Sequence, residues 1–554
     1  MPRSTPRLSA PAYDEWADKG EKRLKLVFNF FNKDNKHIHE KSLFWNNENQ
    51  LNKLHLMSAI RRVAKCHRNG LIFDPVGFDE WIYLSNVDKN KLKKILFEKY
   101  YPKPQITLSM PKDNFTFRPV SYLLPSDSII YQAIVDIIIN HKKNKFSNQV
   151  YSNIINDIDD DEVFNKPVKN WMRMNNNIRE QYNRGYNYYF FSDISGYFEN
   201  IKINRLLSIL EFYVGKNERE YESLLKIMLV KWQFADSQGL VQPHDASSIL
   251  SKIYLTPVDS ALSHLHGRYT RYVDEFHIIT HSKDNLLINN LLLCEELRDL
   301  GLNLNSSKSR YLEGYEINDY IKKDRAFFNA VDYLLYYLGD INLMQIEIDN
   351  KFDEFIDEFE NDKKPNMKIF RFCINKYKLN KNPRAIDFCL KIIYKNNSQT
   401  VDVVKYLSSF IKDENYSKLI LNEITNYIKN TEQEYYQWSK YWLLNLFIVA
   451  DCGKYINKEI LKQIFINKNE NNLTRATALL AFSKHSSDYE LFFLKDLYYE
   501  TDNILFKRAI LAAASKMPRT YTNKLYEIEN TDELDIIILK EYLLKNEYKI
   551  EMRI

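Results

Sequence analysis

Hydrophobic and polar positions follow two rhythms along this chain, and the rhythm changes near residue 325. Up to about residue 99 apolar residues recur every three or four positions. In Gln50–Cys66 they are Leu51, Leu54, Leu56, Met57, Ile60 and Val63, a spacing that predicts a helix. From about residue 100 to 315, β-favouring runs alternate with helical ones. Residues 115–120 read as a strand, and Asp127 leads as N-cap into a helix over Ser128–Asn140. Tyr186–Ser192 reads as a strand ending at Asp193, with a helix from Asn200. Helices are predicted over 219–232, Ala246–Leu255 and Asp284–Leu300, the last stopped by Gly301. Between them, Arg268–Tyr272 and Phe276–Thr280 flank Val273-Asp274-Glu275 as the arms of a tight β-hairpin. This alternation predicts an α/β or α+β domain. After residue 325 strand signals fade and helix follows helix. Arg475–Lys484 recurs loosely as Arg508–Lys516, its Ser-Lys ends 32 residues apart (516 − 484). Two copies fit a stacked helical array or an irregular bundle.

The length of 554 residues allows about three structural units. A net charge of +5 permits nucleic-acid binding without arguing for it. No run of about 18 apolar residues occurs, so no membrane span is expected. The first residues lack the apolar core of a signal peptide, and residues 1–20, with Pro2, Pro6 and Pro11, read as a loose arm. Five scattered cysteines, none in a Cys-x-x-Cys pair, fit a reducing cytoplasm rather than a disulfide framework.

The candidate chemistry is carboxylate chemistry. Asp193 ends a strand, and Asp274 sits at a hairpin tip beside Glu275. Two acids meeting from neighbouring strands can hold Mg²⁺ for phosphoryl transfer, with Mn²⁺ as the alternative metal. Gln238–Leu250 is a turn opening a helix, placed to lie under an incoming nucleotide, and Lys308 can reach a triphosphate. His244-Asp245 reads as a solvated loop pair. The runs Lys91–Lys94 and Lys142-Lys143 read as solvated faces.

In this order the parts resemble the reverse transcriptase family over about residues 110–315. Asp193, followed by Gly196, Tyr197 and Phe198, resembles the first palm motif. Gly239-Leu240-Val241-Gln242 with Ser247 resembles its Gly-x-Pro-Gln-Gly-x-x-x-Ser motif. Tyr272-Val273-Asp274-Glu275 resembles its Tyr-x-Asp-Asp box, and Lys308 the lysine after it. Arg118-Pro119-Val120, Pro125, Asp127 and Gln132-Ala133 resemble a fingers stretch. The resemblance implies metal ligation by Asp193, Asp274 and the Ile194 carbonyl, with Glu275 the third acid. It implies nucleotide contacts from Arg118, Gln242 and Lys308, and Phe198 as a steric gate against the ribose 2′-hydroxyl. Glu275 replaces the second Asp of the box, Val241 the usual Pro, and Pro243 the usual Gly.

The fold class this implies is an α+β palm and fingers followed by an all-α, HEAT-like repeat domain. The expected divisions are an N-terminal arm and helical region over 1–95, fingers and palm over 96–320, and repeats over 325–554. A palm fused to helices is similar to the abortive-infection (Abi-type) and related defence reverse transcriptases of bacteria. That likeness implies a cytoplasmic antiphage enzyme that consumes dNTPs, forms homo-oligomers and makes DNA without a conventional template, attached covalently to a protein hydroxyl. A polymerase copying a dedicated non-coding RNA, and a vestigial palm acting as an RNA- or protein-binding scaffold, remain the alternatives.

Overall fold

The computed structural model describes residues 44–112, 116–140, 146–216, 218–235, 237–265, 267–323, 331, 341–361, 363, 365–430, 437–451, 453–527 and 533–552. The expected arm, Phe115 and Lys142-Lys143 lie outside the described residues. The region before the first sheet is helical, as its periodicity predicts. The single helix expected over Gln50–Cys66 is instead two, Glu48–Lys53 and Leu56–Asn69, because Leu54 leaves the helical conformation.

Six strands form two sheets among the described residues. β1 (Ile106–Pro111) and β2 (Phe117–Tyr122) make an antiparallel hairpin. β3 (Tyr188–Asp193), β4 (Arg268–Tyr272), β5 (Glu275–Thr280) and β6 (Arg310–Glu313) make an antiparallel sheet of order β4-β5-β3-β6. Alternation along β5 sends Phe276 and Ile278 into the main core, where helix Lys283–Asp299 packs. Ile279, opposite Tyr189 on β3, joins a smaller cluster closed by helices Pro167–Asn183 and Tyr315–Lys323. Helix Pro125–Ile139 is buried nearly all round, as its unbroken apolar run requires. Asp127 is not its N-cap: the helix starts at Pro125, and Asp127 lies buried in the first turn. There it accepts from the Tyr100 hydroxyl at 3.0 Å and the Lys103 N–H.

The C-terminal half is helical. Six helices pack each against the next in line: Met367–Leu379, Thr400–Leu407, Gln437–Val449, Asn472–Lys484, Ile504–Ala514 and Leu534–Leu543. The recurring Ser-Lys pairs have a physical reason in this stack. Lys484 donates to the Ile448 carbonyl at 2.6 Å, near the end of the preceding stacked helix. Lys516 donates to the Ser483 and Lys484 carbonyls at 2.6 and 2.8 Å, at the end of the helix before its own. Each ammonium thus meets carbonyls at the negative pole of a helix.

This stack shares its cores with the N-terminal elements. Ile72, Val120 and Tyr122 belong to the same cluster as Trp442, Leu480 and Ala509. Fully buried Arg508 reaches Asp74 and, at 2.5 Å, Glu80. Tyr441 bonds the Phe73 backbone, Trp442 Nε1 donates to the Leu71 carbonyl, and Asp535 accepts from Ser126. Lys91, read as part of a solvated face, pairs instead with Glu541 at 2.7 Å. No helix among the described residues is long and apolar enough to cross a membrane.

Candidate active site

The sheet brings the three acids together. β3 and β5 are in register with Asp193 opposite Glu275. Tyr272 pairs with Glu275 across the hairpin, leaving Val273-Asp274 as a two-residue turn. That turn requires Val273 at φ +56, a left-handed conformation costly for a β-branched residue. Its surroundings enforce it. The Val273 N–H donates to Ser152 Oγ at 2.6 Å, and the Val273 carbonyl accepts from Arg271 at 2.6 Å. Arg271 is itself buried and paired through Nε with Asp259 at 2.7 Å. Lys252 fixes the other side by donating to the Ser152 and Asn153 carbonyls at 3.1 and 2.9 Å. The Asp274 carbonyl accepts from the Ile194 N–H at 3.1 Å. The acid tip is therefore held on both flanks before any substrate arrives.

The electrostatics record the crowding of like charges. Burial raises the pKa of Asp274, Asp193 adds to the rise, and Arg118 and Lys308 oppose it. Burial, then Asp274, pushes Glu275 up to about 7. Lys308 Nζ donates to Asp193 Oδ2 at 2.7 Å, so this lysine lies on the carboxylate itself. Its side chain is 63% exposed against 12% for Asp193, and it can turn toward a phosphate arriving from solvent. Asp193 Oδ1 is buried and accepts no hydrogen bond among the described residues.

No three His, Cys, Asp or Glu side chains are arranged to hold a metal among the described residues. Mg²⁺ does not demand that: one or two carboxylates plus substrate phosphates suffice. Asp193 offers an unused carboxylate oxygen and already receives one cation, Lys308, on the other. The Ile194 N–H, by donating to the Asp274 carbonyl, sets this residue against the hairpin. The carboxylates of Asp193 and Asp274 fit the ion.

Phe198 is half-buried on the short helix Tyr197–Asn200 just after β3, and its carbonyl accepts from the Leu240 N–H at 2.9 Å. Gly239 before it has φ +98, and a Cβ there would stand 2.4 Å from Phe234. Gln242 is half-buried, its carbonyl accepting from the Ser121 N–H at 2.6 Å, which ties this loop to β2. Arg118, on β2, is exposed.

The fold adds one residue to this site that no sequence motif marks. Lys112, at the end of β1, lies close enough to Arg118, Lys308, Glu199 and Asp193 for all four to act on it. Burial, then Arg118, lowers its pKa. The alternation of Ile106, Leu108 and Met110 with Thr107 and Ser109 was the available signal for β1. Helix Pro167–Asn183 and β6 also lie outside the elements that the sequence predicts.

His244 is buried rather than solvated, with Nε2 3.1 Å from the Ser121 carbonyl. Burial holds its pKa down to about 3, and that of nearby His67 down to about 4. An unfolded His244 takes up a proton as pH falls through about 6.5, whereas the folded one stays neutral, so its contribution to stability is lost on acidification. Between pH 7.5 and 5 that loss is about 2 kcal/mol. The destabilisation caused by His244→Gln, from urea melts, is therefore expected to be smaller by this amount at pH 5 than at pH 7.5.

Residues 110–339 match the family described as reverse transcriptase (RNA-dependent DNA polymerase). No curated protein matches the sequence. Among solved structures, the chain is similar to apo telomerase of Candida tropicalis truncated from the C-terminal domain. The identity is 16%, covering 43% of this chain and 56% of that one, with a TM-score of 0.29. It is also similar to Candida tropicalis telomerase in complex with a TWJ fragment of telomeric RNA, at 14% identity over 67% and 68% of the two chains, TM-score 0.31. Candida albicans telomerase with the same kind of RNA fragment gives 10% identity over 65% and 70%, TM-score 0.28.

Proposed function

We propose, for a chain whose residues 110–339 match the reverse transcriptase (RNA-dependent DNA polymerase) family, an antiphage enzyme that adds deoxynucleotides by two-metal phosphoryl transfer. One observation carries the catalytic part. A buried carboxylate with an open oxygen, Asp193, stands opposite the hairpin acids beneath three cations, Lys112, Arg118 and Lys308. Asp193, Asp274 and the Ile194 carbonyl would hold Mg²⁺, which would supply Lewis-acid chemistry for phosphoryl transfer. The chain's own residues do the rest. Lys112 and Arg118 on the β1–β2 hairpin bind the triphosphate, and Lys308 swings from Asp193 to join them. Gln242 lies beneath the nucleotide. Phe198 fills the space that a 2′-hydroxyl would need. The pinned hairpin keeps Asp274 in place as charge develops.

The defence role, protein priming, synthesis without a conventional template and homo-oligomerisation form one reading. Its support is the helical stack that follows the palm. In that reading the stack is HEAT-like, the divisions fall at 1–95, 96–320 and 325–554, the DNA stays attached to the chain, and the enzyme works in the bacterial cytoplasm.

The test is to incubate the purified protein with Mg²⁺ and labelled dNTPs, then sequence any nucleic acid found with it. DNA joined to a tyrosine, serine or threonine supports the reading. One discrete co-purifying RNA with a product of matching sequence replaces it with copying of a dedicated template. No synthesis at any Mg²⁺ or Mn²⁺ concentration leaves a scaffold. Phe198→Ala is expected to raise ribonucleotide use relative to deoxynucleotide use roughly 10- to 100-fold, read from paired kcat/KM values.

A further inference from the structure

Resting on the polymerase reading above, we propose that the helical stack carries a binding track for the sugar–phosphate backbone of a single nucleic-acid strand, leading from the palm hairpin into a basic cavity. Lys368, Arg371, Asn375 and Lys378 lie on helix Met367–Leu379 at steps of three, four and three residues, and so share one face. At the palm end, Lys368 lies within electrostatic reach of the Glu275 carboxyl. At the other end, Lys378 lines two adjoining cavities of about 420 and 390 Å³, with Lys405 also common to both. Arg68 and Lys484 wall the first and Arg371 the second.

The lining carboxylates are few, Glu551 in the first cavity and Asp402 in the second. Among the described residues, Arg68, Arg371, Lys378 and Lys405 form no ion pair, although ion pairs are frequent elsewhere on this surface. Burial lowers the pKa of Lys405, and Lys378 adds to the fall against the pull of Asp402. Asp402 acts on Arg371 and Lys405, and Asp451 pairs with Lys412 and Lys484 at 3.2 and 3.6 Å. Yet the cations outnumber these acids, and such an excess on a packed scaffold suits a ligand with regularly repeated negative charge. The stripe from Lys368 to Lys378 is about 15 Å long, the length of roughly four stacked nucleotides. Half-buried Phe372 lines the second cavity, with the Lys376 ammonium 5.2 Å from its ring centroid. A strand suits this track better than an acidic protein does, because the track begins at the acids that add nucleotides.

The experiment measures binding of fluorescent dT20 to the full chain across a salt series. Arg371→Gln/Lys378→Gln is expected to weaken binding at least tenfold. It should also reduce the slope of log K against log salt by about 1.4, or about 0.7 for each lost phosphate contact. Arg371→Lys/Lys378→Arg, which keeps the charges, should bind as the wild type does, which separates charge loss from misfolding. Unchanged affinity and slope in the Gln pair overturn the track. Competition by polyglutamate as strong as by unlabelled dT20 overturns the strand in favour of an acidic protein. If the wild type binds through these residues but adds no nucleotide, the polymerase reading fails and the track stands. If it adds nucleotides normally while the Gln pair binds normally, the track alone fails.

Discussion

Asp193→Asn is expected to lower nucleotide addition about 10³-fold or more, corresponding to ~4 kcal/mol of transition-state stabilisation, while leaving the fold at least as stable. The substitution keeps the side chain's shape and removes its charge. Asp193 is the acid whose Oδ1 is buried and open while Oδ2 holds Lys308. With Asn there, both the cation-binding oxygen pair and the charge that draws Lys308 inward are lost. The stability side follows from repulsion. Asp193 raises the pKa of both Asp274 and Glu275, so neutralising it relieves two like-charge contacts. The lost Lys308 pair is mostly exposed and contributes little. Primer extension or self-labelling with dNTPs, together with a thermal melt, checks both halves. Retained activity would remove Asp193 from the mechanism, and a fall in melting temperature of several degrees would make its role structural.

Arg508→Met is expected to destabilise the chain by about 3–5 kcal/mol, the largest stability effect we foresee. Arg508 is fully buried, and so are both of its partners, Asp74 and Glu80. It also donates to the Gly77 carbonyl at 3.1 Å. Removing it leaves two buried carboxylates facing each other. Even with Arg508 present, burial raises Glu80 to about 7. Without it Glu80, still facing buried Asp74, is raised further, so the folded variant binds a proton that the unfolded chain releases above about pH 4 to 5. Its stability therefore falls as pH rises, and the deficit should be larger at pH 8 than at pH 6. Adding Asp74→Asn and Glu80→Gln removes the stranded charge and should recover part of the loss. Urea melts of the single and triple variants at the two pH values measure this. A deficit independent of pH would mean that lost packing, not charge, dominates.

The legible parts of this molecule were the local ones. The Tyr272–Glu275 hairpin announces itself because a strand, a two-residue turn and a second strand are contiguous, and β4 and β5 lie where the alternation placed them. Asp193, Asp274 and Glu275 do converge, with Arg118 and Lys308 acting on them. What the sequence hid was whatever depends on partners far along the chain. Arg508 meets Asp74 across 434 residues, and nothing local marks either one. Lys112 was lost among 78 lysines and arginines, and becomes visible only once β1 is paired with β2. The anchoring of Val273 by Ser152, Arg271 and Lys252 is a tertiary arrangement that no spacing reveals. His244 was misjudged because a loop histidine is ordinarily wet, whereas this loop is packed against β2.

The bonds from Arg508, Tyr441, Trp442 and Asp535 have a mechanical consequence. They attach the stack to segment 71–80 and to Ser126, which lie on either side of the β1–β2 hairpin in the chain. Asn471 adds a contact to β1 itself through the Thr107 carbonyl at 3.3 Å. The hairpin that carries Lys112 and Arg118 is thus mounted on the same frame as the helices. A substitution that loosens the stack is therefore expected to displace these two cations relative to the acids of the palm hairpin as well.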